Sequence, residues 1–152
     1  MTERTKVLFG KVKEYLDSRE WIYREETFGD LLAAVLPFKL DGFVCYVFVT
    51  VSDSEIQTMT HWWGEVPEAY RAAVGEYLLR TSYGQMIGKW EIDLDSGRFH
   101  FNTFLSCMEG IPSQQDIKRI VDEGFETFQS HCVDLFELTN GRGTPAELLK
   151  KG

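Results

Sequence analysis

MIGKWEIDLDSGRFHFNTFLSC, residues Met86–Cys107, is the stretch whose reading decides the fold. Trp90, Ile92 and Leu94 alternate with Lys89, Glu91 and Asp93. After a reversal at Asp95-Ser96-Gly97, Phe99, Phe101 and Leu105 alternate with His100, Asn102 and Phe104. Successive side chains of a strand point to opposite faces, so this period of two describes a β-hairpin with one apolar face. Asp, Ser and Gly suit the reversal, with Gly taking the positive φ.

Working outward, the clearest helix follows the hairpin. Ser113-Gln-Gln-Asp116 resembles a capping box with Asp in the Glu place, and Asn140-Gly141 ends the helix. Ile117, Ile120, Val121, Phe125, Phe128, Cys132, Leu135 and Phe136 form its apolar stripe. A shorter helix precedes the hairpin. It starts near Pro67, carries Tyr70, Val74, Tyr77, Leu78 and Thr81 on one face, and stops at Gly84.

Further upstream, Phe43–Val51 is apolar on both faces, with Phe43, Cys45, Val47 and Val49 on one and Val44, Tyr46 and Phe48 on the other. Such a strand needs cover on both sides. Leu31–Leu40 reads as its hairpin partner across Asp41-Gly42, and Pro37 marks it as an edge strand. A third strand runs from Glu55 to Trp63. Residues 2–18 form an amphipathic helix through Leu8, Val12, Tyr15 and Leu16, whereas Trp21–Phe28 carries neither period. The order is α-β-β-β-α-β-β-α, an α+β class with a five-stranded antiparallel sheet packed by helices. The expected core is Leu8, Val12, Leu16, Trp90, Ile92, Leu94, Phe99, Phe101, Ile117, Val121, Phe128 and Leu135.

One domain, residues 1–140, is expected, with 141–152 a tail in which Thr144-Pro145-Ala146-Glu147 starts a short helix. At 152 residues the chain can bury about 68–70% of its unfolded surface, so its core needs no disulfide or metal. A net charge of −8 argues against nucleic acid and against an anionic membrane surface. No apolar targeting segment follows Met1, the apolar runs are too short to span a bilayer, and Cys45, Cys107 and Cys132 form no CxxC. A reduced cytoplasm is the expected compartment.

No chemistry-bearing motif survives inspection. Asp93-Leu94-Asp95-Ser96-Gly97 resembles the opening of a calcium loop, but Phe104 stands where the bidentate Glu is needed. His61, His100, His131 and the three cysteines show no zinc-ligand spacing and no nucleophile–base pair. Gly141-Arg142-Gly143 follows a helix instead of a strand, unlike a dinucleotide fingerprint. No catalytic, metal or cofactor residue is therefore expected. Trp62-Trp63 stands out. If the strand runs through them, one faces the helices and the other faces away, as a partner anchor would; if it stops short, both pack in the core.

The block Leu78–Leu105 resembles the YbjN-like proteins, small bacterial domains labelled as sensory transduction regulators. The matching residues are Tyr83-Gly84, Gly88, Trp90, Glu91, Ile92, Asp93, Gly97, Phe99 and Phe101, joined by the Leu31–Val51 hairpin and the helix start at Val66-Pro67-Glu68. Ser82 stands in the family's Asn place, and the tail after Asn140 is additional. The resemblance implies a type III secretion chaperone-like fold and a cytoplasmic, dimeric protein that binds other proteins, with no catalytic residue and no cofactor.

Two function classes follow: a non-enzymatic interaction module, chaperone-like or regulatory, or a small enzyme with an unrecognised site. Self-association is expected through Phe48, Tyr70 and Tyr77, because the helices can cover only one face of the Phe43–Val51 strand. A protein partner is expected in a groove beside Trp62 or Trp63.

Overall fold

The computed structural model describes residues 1–150; the last two residues of the expected tail lie outside the described residues. Helix α1 (Glu3–Ser18) leads into β1 (Arg24–Phe28), β2 (Leu31–Leu40), β3 (Phe43–Val51) and β4 (Glu55–Trp62). A 3-10 turn at Glu68–Tyr70 opens α2 (Arg71–Ser82), followed by β5 (Lys89–Asp93), β6 (Arg98–Ser106), α3 (Gln114–Thr139) and α4 (Pro145–Lys150). The strands form one open sheet in the order β1-β2-β3-β4-β6-β5, with every neighbouring pair antiparallel.

The sheet thus has six strands, not five. The extra one is the Trp21–Phe28 region that showed no period. Its β1 is exposed on both faces except at Glu26, so no apolar alternation marks it. A two-residue turn, Gly29-Asp30, joins it to β2, with Gly29 at φ +61°. The β2–β3 turn is the expected one: Asp41 and Gly42 both take positive φ, +51° and +83°, which matches the right-handed twist of the strands they join. Because β1 covers Leu31–Val35, β2 is an edge only beyond that point. Pro37 lies there, where its missing N–H deprives no neighbour.

The helices lie on one face. Leu8, Val12 and Leu16 of α1 pack with Ala34, Leu36, Val47, Val49 and Val51 and with Ile117, Ile120 and Val121 of α3. Farther along α3, Phe128, Leu135 and Phe136 pack with Val74, Tyr77 and Leu78 of α2 and with Trp90, Phe99 and Phe101 of the organising hairpin. The 26-residue α3 is therefore shared by both clusters. Ser113 caps it by accepting from the Asp116 N–H at 3.1 Å. Gly124 lets it settle on the sheet, where an added Cβ would come within 2.8 Å of Thr58 Oγ1.

Leu94, expected in the core, is 59% exposed because β5 ends at Asp93 and Leu94 belongs to the turn. The segment after Asn140 folds back: Pro145 and Leu148 of α4 are buried, and Leu148 joins the α2 cluster. No helix among the described residues is long and apolar enough to cross a membrane.

Candidate functional site

Strand alternation leaves the second sheet face without a helix. Val44, Tyr46 and Phe48 of β3 point there, and register places Val35 and Pro37 of β2 on one side and Met59 and His61 of β4 on the other. The rings assemble across strands. Phe48 stacks on His61 at 5.1 Å, and Tyr46 meets Trp63 edge-on at 5.4 Å. Trp63 is 67% exposed, the rim of an otherwise half-covered aromatic patch.

The neighbouring Trp62 turns the other way. Its ring lies 5.7 Å from Phe43 and 5.9 Å from Phe136 of α3, on the helix side. The chain can double back over that ring because residue 64 is glycine; a Cβ there would overlap it.

Beyond β4 the uncovered face deepens into a cleft of about 520 Å³, lined by Met59, His61, Trp62, Trp63, Gly64, Glu65, Asp93, Ser96, Arg98, Phe99 and His100. Its two walls are tied together. The Val66 N–H donates to Gly97 O at 2.8 Å, and the Arg71 guanidinium donates to Val66 O at 2.9 Å, Asp95 O at 2.7 Å and Ser96 O at 3.1 Å. One cation from α2 thus fixes both the 64–66 segment and the β5–β6 turn.

The electrostatics are set by the same geometry. Burial among the rings, with His100 and Arg98 nearby, lowers the His61 pKa from the usual 6.5 to about 4. Among the described residues its Nε2 has no partner. Partial burial would raise the Glu91 carboxyl, but His100 and Lys89 beside it hold it below the usual range. Asp93 is held low by the N–H of Asp95, which donates to it at 3.0 Å.

His61 carries a pH prediction. Between pH 6.5 and about 4 the unfolded chain binds a proton that the folded chain refuses, so stability should fall as pH drops through that window. His61→Phe should lessen the fall, whereas His131, also held low by burial, keeps its share. Urea midpoints at pH 7.5 and 4.5 for both proteins check this, and an equal drop in the two would sink it.

The residues singled out for self-association do not share a surface. Phe48 lies half-buried on the uncovered face. Tyr70 is 37% exposed on the helix side, with its ring against Gly141. Tyr77 is fully buried, and its hydroxyl donates to Asp134 at 2.8 Å and lies 2.8 Å from His131 Nδ1. It cannot touch a second copy: the stripe that carries it is the seam α2 packs with. All three cysteines are buried and free, and burial pushes the Cys45 thiol up to about 12. Among the described residues no three His, Cys, Asp or Glu side chains are grouped as a metal would need. His61 and Asp93 were weighed from the sequence only as metal ligands or, at His61, as a catalytic base, and Tyr46, Glu65 and Arg98 not as site residues. Chain proximity puts His61 and Glu65 beside Trp63, whereas strand pairing brings Tyr46, Asp93 and Arg98 to the same side. No family model matches the chain, and no curated protein matches it.

Proposed function

We propose that the protein is a non-enzymatic interaction module, chaperone-like or regulatory, that captures a protein partner on the helix-free face of its sheet beside Trp63. The observation that carries this reading is the 67% exposure of Trp63 at the rim of a continuous aromatic patch. Contiguous exposed apolar surface is uncommon on a monomer and marks interaction sites, and Trp is the residue most enriched among binding hot spots. The YbjN-like resemblance supports the same class, with a type III secretion chaperone-like fold, a cytoplasmic setting and a homodimer as its implications. The added β1 departs from that element order. A homodimer built on the uncovered face would use Phe48 and neither tyrosine.

The alternative of a small enzyme gains nothing from the thiols, which burial keeps protonated.

The test separates the two tryptophans. Trp63→Ala should fold within about 0.5 kcal/mol of the parent and lose about 2 kcal/mol or more of partner binding. Trp62→Ala removes a ring packed on Phe136 and should cost about 2–4 kcal/mol of stability. Urea titration and capture from native cell extract read the two effects. If both variants unfold, the pair is simply core; if both capture as the parent does, the site lies elsewhere.

A further inference from the structure

We infer that the cleft beside Trp63 takes a basic peptide segment, with a Lys or Arg side chain laid along the Trp63 ring and its charged head between Glu65 and Asp93. This rests on the interaction-module reading and names the chemistry of the partner.

Three observations point to that chemistry. Met59 and the rings of His61, Trp62, Phe99 and His100 contribute to the cleft's lining, and Trp63 stands exposed at its edge. A cationic side chain satisfies such a surface with both of its parts, since its methylene stem packs on the ring and its head is attracted by the ring's negative face. The second observation is the sign of the rim. Glu65 and Asp93 line the cleft, Asp93 held ionised by its turn amide. Two cations stand near these acids. Arg71 is one, its guanidinium already engaged by the Val66, Asp95 and Ser96 carbonyls. Arg98 is the other; it lines the cleft and reaches Glu65 only at 3.5 Å, with both partners largely exposed. A pair so long and solvated is worth little, so an incoming cation can displace it. The third is the whole chain's charge of −8, which concentrates basic segments and repels acidic ones and nucleic acid.

Fluorescence anisotropy with three labelled nine-residue peptides tests the inference: Leu alternating with Lys, with Gln, or with Glu. The Lys peptide should bind at least about tenfold more tightly than the Gln peptide at low salt, the gap should shrink as salt rises, and the Glu peptide should not bind. Glu65→Gln with Asp93→Asn should lose most of that tenfold preference, so that Lys and Gln peptides bind about alike; the Asn oxygen can still accept the Asp95 N–H. Trp63→Ala should weaken the Gln peptide by about 30-fold, the ratio equivalent to a 2 kcal/mol hot spot, and the Lys peptide by more, since it also loses the ring's attraction for the ammonium.

Equal binding of Lys and Gln peptides, or a Lys preference that survives the double neutralisation, overturns the basic-segment inference while Trp63 remains the anchor. A Trp63→Ala variant that binds every peptide normally overturns the anchor as well. Binding of none of the three overturns both.

Discussion

Replacing Phe101 by alanine is expected to cost about 3–5 kcal/mol, the range for removing a buried ring. Phe101 has no exposure, stands opposite Trp90 on β5 and Thr60 on β4, and lies 4.9 Å from the Trp90 ring. Its surroundings resist collapse. Strands flank it on both sides, and the second core cluster packs over it from α2 and α3, so most of the cavity would persist. In urea the midpoint should fall with the slope unchanged, because the folded surface is the same. A loss below about 1 kcal/mol would place the ring outside the core.

Gly88→Ala should be comparably damaging, about 2–5 kcal/mol, through two separable effects. Gly88 sits at φ +79°, where a side chain costs about 1–2 kcal/mol. An added Cβ would also overlap the Asn102 carbonyl oxygen and come within 2.6 Å of the Phe101 ring. Relieving that overlap requires moving backbone of β6, and overpacking of this kind adds about 1–3 kcal/mol. Gly84 in the same loop provides the control. It has φ +81° but open space around its Cβ position, so Gly84→Ala should show the conformational cost alone. Equal losses at the two positions, read by urea titration, would mean that the crowding at Gly88 is relieved without cost.

Strands with one buried face were legible from residues alone. The hairpin of β5 and β6, the Asp41-Gly42 turn and the stripe of α3 all announce themselves by period or by turn chemistry, because burial on one side imposes alternation. β1 is the counterexample. Arg24, Glu25, Glu26 and Thr27 face solvent or the sheet rim, so burial imposes no pattern on them. The available signal was Gly29-Asp30, a two-residue hairpin turn abutting the apolar start of β2. Leu94 was misread by extending alternation one residue past the strand's end. Tyr77 was expected at an outer contact, but the face it shares with Val74 and Leu78 is the one α2 buries against α3 and the β5–β6 hairpin. The adjacent tryptophans were the legible part of the candidate site. β4 ends at Trp62, one residue short of the expected bound, but the Trp63 N–H still donates to Val44 O, and the two rings diverge as neighbours on extended chain do. The rest of the cleft comes from pairings between residues far apart in the chain, such as His61 with His100, and no local pattern encodes register of that kind.

Helix α3 has a consequence for how the molecule comes apart. Its first half is embedded with α1 and the β2–β3 side, and its second half with α2, α4 and the β5–β6 side. Neither hydrophobic cluster can open without exposing a segment of the one rod that also nails down the other. A small α+β chain with two clusters invites stepwise melting, one subdomain ahead of its neighbour. Because both clusters share this rod, one cooperative unfolding transition, coincident by tryptophan fluorescence and far-UV circular dichroism, is the expected result.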